Sequence, residues 1–159
     1  MDPEQLSSAL AAAARRVLED AAFVFAEEVA APVDESAWPA TVSQTQLAFD
    51  GPVCGRFLLV ASARLGETLA AAMLGSEPGS PEAAEQAQDV LREVLNMIAG
   101  VTLEQVFDDQ IWELGAAEVS SVSLAEHRAS RPGAAAWVHL ETEDADSLEL
   151  AVYLDGASR

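Results

Sequence analysis

Between Ser80 and Val106 the chain carries one long helical period, and whatever fold it adopts must bury one side of that period. Ser80 is placed to cap the helix and Pro81 suits its first turn, while Glu82 and Glu85 complement the positive end of the dipole. At about 100° per residue, Ala87, Val90, Leu91, Val94, Leu95, Ile98 and Val101 share one arc, the predicted core face. Glu82, Glu85, Asp89, Glu93, Asn96 and Gly100 lie opposite, with Asp89, Glu93 and Asn96 inside roughly 60°. Asp89 and Glu93 are four apart and alike in charge, which costs a helix roughly a few tenths of a kcal/mol. Asn96 has middling helix propensity, and Gly100 costs about 1 kcal/mol relative to alanine inside a helix. Local helix stability therefore does not account for this stripe, and the residues alone leave open an ordinary solvated face.

The rest of the chain alternates between the two periods. In residues 3–30, Leu6, Leu10, Ala14, Val17, Leu18, Ala21, Phe25 and Val29 recur at helical spacings, and Pro32 is placed to end that helix. Residues 41–50 alternate toward Thr45, Leu47 and Phe49, Asp50-Gly51 offers a tight turn, and 53–61 is a short apolar run, so the pair reads as a hairpin. Residues 64–74 fit a short helix stopped by Gly75, followed by a Pro/Gly loop over 76–80. Beyond Asp108-Asp109 the period becomes two again: strands are predicted over 119–126, 135–141 and 148–154, the last with a polar turn before it, forming a three-stranded meander. In the last strand Leu148, Leu150, Val152 and Leu154 share one face and Glu149, Ala151 and Tyr153 the other. The order predicts an α+β fold with long helices packed on one face of an antiparallel sheet. Its 159 residues suit one domain over 1–159, with an N-terminal helix over 1–30 and an α+β core over 41–156.

Charge and composition narrow the function. There are 27 acidic residues against 8 basic ones, all of the latter arginine, and the formal net charge is -19. Such a field repels nucleic-acid backbones and anionic lipid, so neither nucleic acid nor a membrane surface is an expected partner. The longest uncharged stretch, residues 36–49, is too short to span a bilayer and contains Pro39, and the N-terminus lacks a basic secretory start; the expected location is the cytoplasm. The single cysteine, Cys54, reads as a small buried side chain. With only His127 and His139, far apart in sequence, no zinc-like ligand set is present. Glu82, Glu85, Asp89 and Glu93 could be read as an oxygen-ligand metal stripe, but the Glu-x-x-His pairing of helix-borne di-iron sites is missing. Trp38, Trp112 and Trp137 are expected in the core or partly buried.

The stripe reads Asp89-x-x-x-Glu93-x-x-Asn96 and runs directly into Met97-Ile98-Ala99-Gly100, which resembles the signature helix of the CheC/CheX/FliY phosphatase family. The Gly51-x-x-x-Gly55 hairpin leading into Phe57-Leu58-Leu59-Val60, and Leu69-Ala70-Ala71-Ala72-Met73-Leu74-Gly75 before the signature helix, are similar to the CheX branch. The resemblance implies a CheC/CheX-like fold and a phosphatase acting on the phospho-aspartate of a CheY-like response-regulator receiver. It implies Glu93 and Asn96 as the catalytic pair: Glu93 to pair with a receiver lysine and Asn96 to hold the attacking water. Asp89 and Gly100 follow as accessory positions, the first to orient the site or repel wrong partners, the second to let the receiver backbone approach. Arg92, on the helix flank, is placed to pair with Asp89 or with charge on the Glu85 side, a contact worth little on an exposed surface, and is assigned no role. The implied enzyme has no cofactor of its own, Mg2+ being carried by the receiver, and is a homodimer formed through the sheet. The stretch 114–119 has no proline where the family pattern places one. That departure gives the alternative of a catalytically silent CheX-like dimeric adaptor or regulatory binding domain in two-component signalling.

Overall fold

A computed structural model describes residues 2–29, 38–130 and 132–156. Among the described residues eleven elements follow one another: α1 (Pro3–Ala22), β1 (Ala26–Glu28), β2 (Thr41–Asp50), β3 (Cys54–Ala61), α2 (Ala63–Leu74), α3 (Pro81–Val106), β4 (Glu113–Leu114), β5 (Glu118–Ser123), α4 (Leu124–Ser130), β6 (Ala136–Thr142) and β7 (Ser147–Asp155). The strands form one antiparallel sheet in the order β1-β6-β7-β3-β2-β4, with β5 also paired to β2. Helices α1, α2 and α3 supply the apolar residues of the main core, which meet Leu47, Phe57, Leu59, Val138, Leu148, Leu150 and Val152 from the sheet. This is the α+β architecture that the alternating periods predict.

Local chemistry sets the helix ends. Asp2 caps α1 through its carboxylate to the Glu4 N–H at 3.0 Å, Ser62 caps α2 at Leu65, and Ser80 caps α3 at Ala83, the last two at 3.1 Å. Gly75 ends α2 in the left-handed region at φ 74°, which glycine enters without strain. The predicted α3 is thus observed with its bounds intact. The first helix is shorter than predicted: Phe23 turns left-handed at φ 53°, its N–H donating to the Glu19 carbonyl and the following Val24 N–H to the Leu18 carbonyl. Ala26–Glu28 then pair with β6, so Phe25 and Val29 follow a strand and not a helix period. Pro32 lies outside the described residues.

Two further corrections concern the second half. Strand β5 stops at Ser123, because the Ser123 hydroxyl accepts from the Glu126 N–H at 3.1 Å and starts α4 over part of the predicted strand. The predicted meander is not formed either, since β5 pairs with β2 while β6 and β7 form the hairpin and β7 continues to β3. Part of the non-helical face of the sheet is covered: Leu58, Val60, Ala151 and Tyr153 form a second apolar cluster with Leu124 from α4 and with Trp38. Within it, His127 of α4 and His139 of β6 both meet the carboxylate of Glu149, His139 Nε2 lying 3.1 Å from Oε1, and all three are buried. Histidines far apart in sequence are thereby brought to one carboxylate that ties α4 to the sheet. Cys54 is only half-buried, its thiol donating to the Asp50 carboxylate at 2.8 Å, because it sits at the turn end of the hairpin.

The two hairpin glycines have a packing cause. A Cβ on Gly55 would lie 2.2 Å from the Tyr153 carbonyl oxygen, and one on Gly51 would lie 2.6 Å from the Trp112 ring. Trp112 is half-buried against Phe49 and Phe107, while Trp137 is 36% exposed.

At the β6–β7 turn, burial pushes the Asp146 carboxyl above its ordinary 3.8, the Arg64 guanidinium opposing the rise and Asp144 adding to it. The folded chain then holds this proton to higher pH than the unfolded chain, so the group removes stability as pH climbs from 3.8 through its folded value. The Arg64 partner is 71% exposed and offsets little of this. Asp146→Asn is expected to melt higher than wild type at neutral pH, with the gap closing as pH falls below the carboxylate range. Thermal melts from about pH 3 to about pH 7 check this, and parallel profiles for the two chains would contradict it.

Candidate functional site

The site is built on α3, whose inward face is fixed by Val90, Leu91, Val94, Leu95, Ile98 and Ala99, all buried. Burial of that face on the sheet and on α1 and α2 leaves no rotational freedom in which side looks outward. Ala87 and Val101, predicted for the same face, are half-buried at its edges. Asp89, Glu93 and Asn96 are exposed, and Gly100 is half-buried. Glu93 and Asn96 are three residues apart and project one turn from each other on the same side. Among the described residues neither side chain makes a hydrogen bond or ion pair within the chain, so both are available to a partner.

Asp89 is differently placed. It accepts from Arg92 at 2.7 Å, its own side chain 78% exposed and that of Arg92 38%. An exposed i,i+3 pair contributes little to stability, but it neutralises the acid next to Glu93 and relieves the like-charge contact that the sequence predicts. Among the described residues no set of three or more His, Cys, Asp or Glu side chains is arranged to hold a metal ion. No described helix is long and apolar enough to cross a membrane.

Beside Asn96 lies a feature that the helical wheel does not contain. An open groove of about 730 Å³ runs between α1 and α3, and Asn96 and Gly100 both line it. The other wall comes from α1, with Arg16, Val17, Asp20 and Ala21. On this wall Arg16 and Asp20, both exposed, form an i,i+4 ion pair of 3.6 Å, while the buried stripe of α1 runs on unbroken through Val17, Leu18 and Ala22. Gly100 sits in the helix interior, and a Cβ there would meet nothing within 4 Å. Its cost to the helix is about 1 kcal/mol relative to alanine, and neither a left-handed backbone nor internal crowding accounts for it.

Downstream, the segment without the family proline is held to the edge of the sheet. Leu114 pairs with Phe49, and the Gly115 N–H donates to the Ala48 carbonyl at 2.8 Å, a bond that a proline at 115 would forfeit. The path of the chain beside the groove is therefore fixed by β2.

Together, fold and site define a small α+β domain that presents a polar Glu/Asn pair outward from a long helix instead of enclosing it. The family model for the chemotaxis phosphatase CheX matches residues 44–126, and the chain belongs to that family. No curated protein sequence matches it. Among solved structures it is similar to the chemotaxis protein CheX from Desulfovibrio desulfuricans, at 14% identity over 94% of this chain and 99% of that one, with a TM-score of 0.70. It is also similar to a chain of the CheX-CheY-BeF3-Mg2+ complex from Borrelia burgdorferi, at 15% identity over 92% and 96% of the two chains, with a TM-score of 0.66. Thermotoga maritima FliY shares the fold at 12% identity over 99% of this chain and 93% of that one, with a TM-score of 0.62.

Proposed function

We propose that this chain hydrolyses the phospho-aspartate of a CheY-like receiver, with Glu93 docking the helix and Asn96 holding the attacking water. Membership of the CheX phosphatase family supports the reaction, and the CheX–CheY complex of the Borrelia burgdorferi relative supports the kind of partner. The observation that carries the residue roles is that Glu93 and Asn96 face outward, one turn apart, with no partner in their own chain among the described residues.

In this reading the receiver brings the phosphoryl group, its Mg2+ and a lysine, and the chain described here needs no cofactor of its own. Glu93 meets the lysine as an ion pair. Asn96 enters the receiver pocket, where its amide oxygen accepts a hydrogen bond from water and its NH2 donates, adding no negative charge beside a phosphoryl group. The water oxygen bonds to phosphorus as the bond to the aspartyl oxygen breaks, giving inorganic phosphate and a free carboxylate. Phosphoryl transfer needs chiefly positioning and charge balance, which a rigid helix face supplies. Asp89, paired with Arg92, orients this face, and Gly100 leaves room for the partner.

The test is phosphate release from receivers charged with a small phosphodonor in Mg2+. Acceleration by wild type that falls in Glu93→Gln through a raised KM supports the docking role. Binding without any acceleration sinks the enzymatic reading and leaves the adaptor. The homodimer through the sheet belongs to the same proposal, with Trp137 as the exposed aromatic on the face opposite the long helices. Light scattering that gives the mass of one chain at micromolar concentration would refute it.

A further inference from the structure

The groove next to Asn96 is larger than a water-holding amide requires, and its floor is apolar: Val17, Ala21, Met97, Val101 and Leu114. Its rim carries Asp20 and Glu104, while Arg16, the cation on the rim, is already paired with Asp20. Gly100 deepens the groove at its middle, where nothing in the chain takes the space a side chain would fill. We infer that this groove receives an apolar side chain from the receiver's surface next to its phosphorylation pocket, on a segment that also carries lysine or arginine. The inference rests on the phosphatase reading for the identity of the occupant.

Three observations select that occupant. The groove is continuous with Asn96, so whatever fills it touches the same partner that Asn96 enters. Glu104, the rim acid with no ion pair among the described residues, on a chain of net charge -19, favours a segment with cations beside its apolar side chain. The floor is apolar, buried at Val17 and half-buried at Ala21, Met97, Val101 and Leu114, and the charged lining residues Arg16, Asp20 and Glu104 are exposed, so the contact holds the partner without taking part in the reaction. A contact equal in the ground and transition states lowers KM and leaves kcat alone. The groove therefore selects which receiver is turned over, while Asn96 governs how fast.

Two variants of the full chain test this, Ala21→Gln, which fills the groove from the α1 wall, and Glu104→Arg, which reverses charge on the rim at an exposed residue. Each is expected to raise KM for the phosphorylated receiver about tenfold with kcat within about twofold of wild type. Thermal melts verify folding, and Glu104→Arg carries the test if Ala21→Gln is destabilised. Wild-type KM in the folded variants overturns the groove contact while leaving the phosphatase reading standing. If wild type binds the receiver without accelerating hydrolysis, the phosphatase reading fails, and the same variants are then read by binding: about tenfold weaker binding sustains the groove contact and unchanged binding overturns it. A wild-type chain that neither binds nor accelerates overturns both.

Discussion

Asn96→Ala is expected to slow phosphate release from a phosphorylated receiver about a hundredfold or more, with receiver binding and thermal stability close to wild type. The size of the effect follows from what the amide supplies. Once the receiver contributes its metal and lysine, the remaining requirement is a water held in line with phosphorus, and a misplaced nucleophile costs orders of magnitude. The unchanged stability follows from the surroundings of the residue. Asn96 is exposed and bonds to nothing in its own chain among the described residues, and alanine is the better helix former. Stopped assays at saturating receiver, a binding titration and a melt read the three quantities separately. An unchanged rate would remove the water-holding role.

Leu95→Ala, one residue earlier, is expected to behave in the opposite way. Leu95 is fully buried in the main core, and truncating such a leucine costs about 2–5 kcal/mol through lost transfer energy and the cavity left behind. For a chain of this size the melting temperature should fall by on the order of 10 °C. Below that melt, turnover per folded molecule should remain close to wild type, because the substitution lies on the side of α3 turned away from Glu93 and Asn96. Denaturant unfolding together with active-site titration checks both halves. A stable Leu95→Ala chain would mean that α3 is not anchored as described. Neighbouring residues on one helix thus separate catalysis from stability.

The parts of this account that were legible in the sequence are those governed by local period. Helix α3 is named by its Ser80 cap, its apolar arc and its length, and the β2–β3 hairpin by alternation around Asp50-Gly51. The outward stripe followed from the same arc, because once Leu91 and Leu95 face the core, Glu93 and Asn96 cannot. What was not legible depends on distant pairing. Phe25 and Val29 fit a helical spacing, and only β6 shows that Ala26–Glu28 form a strand. A two-residue strand such as β4 carries no period at all. Strand β5 alternates as a strand does, but nothing in 118–123 records that its partner is β2 and not the next strand along the chain. His139 and Glu149 are register partners in the β6–β7 hairpin, so their meeting could have been anticipated from the turn between them, whereas His127 arrives from α4. The groove beside Asn96 belongs to two helices far apart in sequence, and a wheel drawn for either one does not show it.

The most direct measurement of the central claim is phosphate release from a receiver charged in Mg2+, with this chain present in substoichiometric amount. Catalysis by Glu93 and Asn96 requires many turnovers per chain, lost together in Glu93→Ala and Asn96→Ala while both variants remain folded. Release at the receiver's own rate, with wild type bound and folded, would contradict it and make the chain a binding domain.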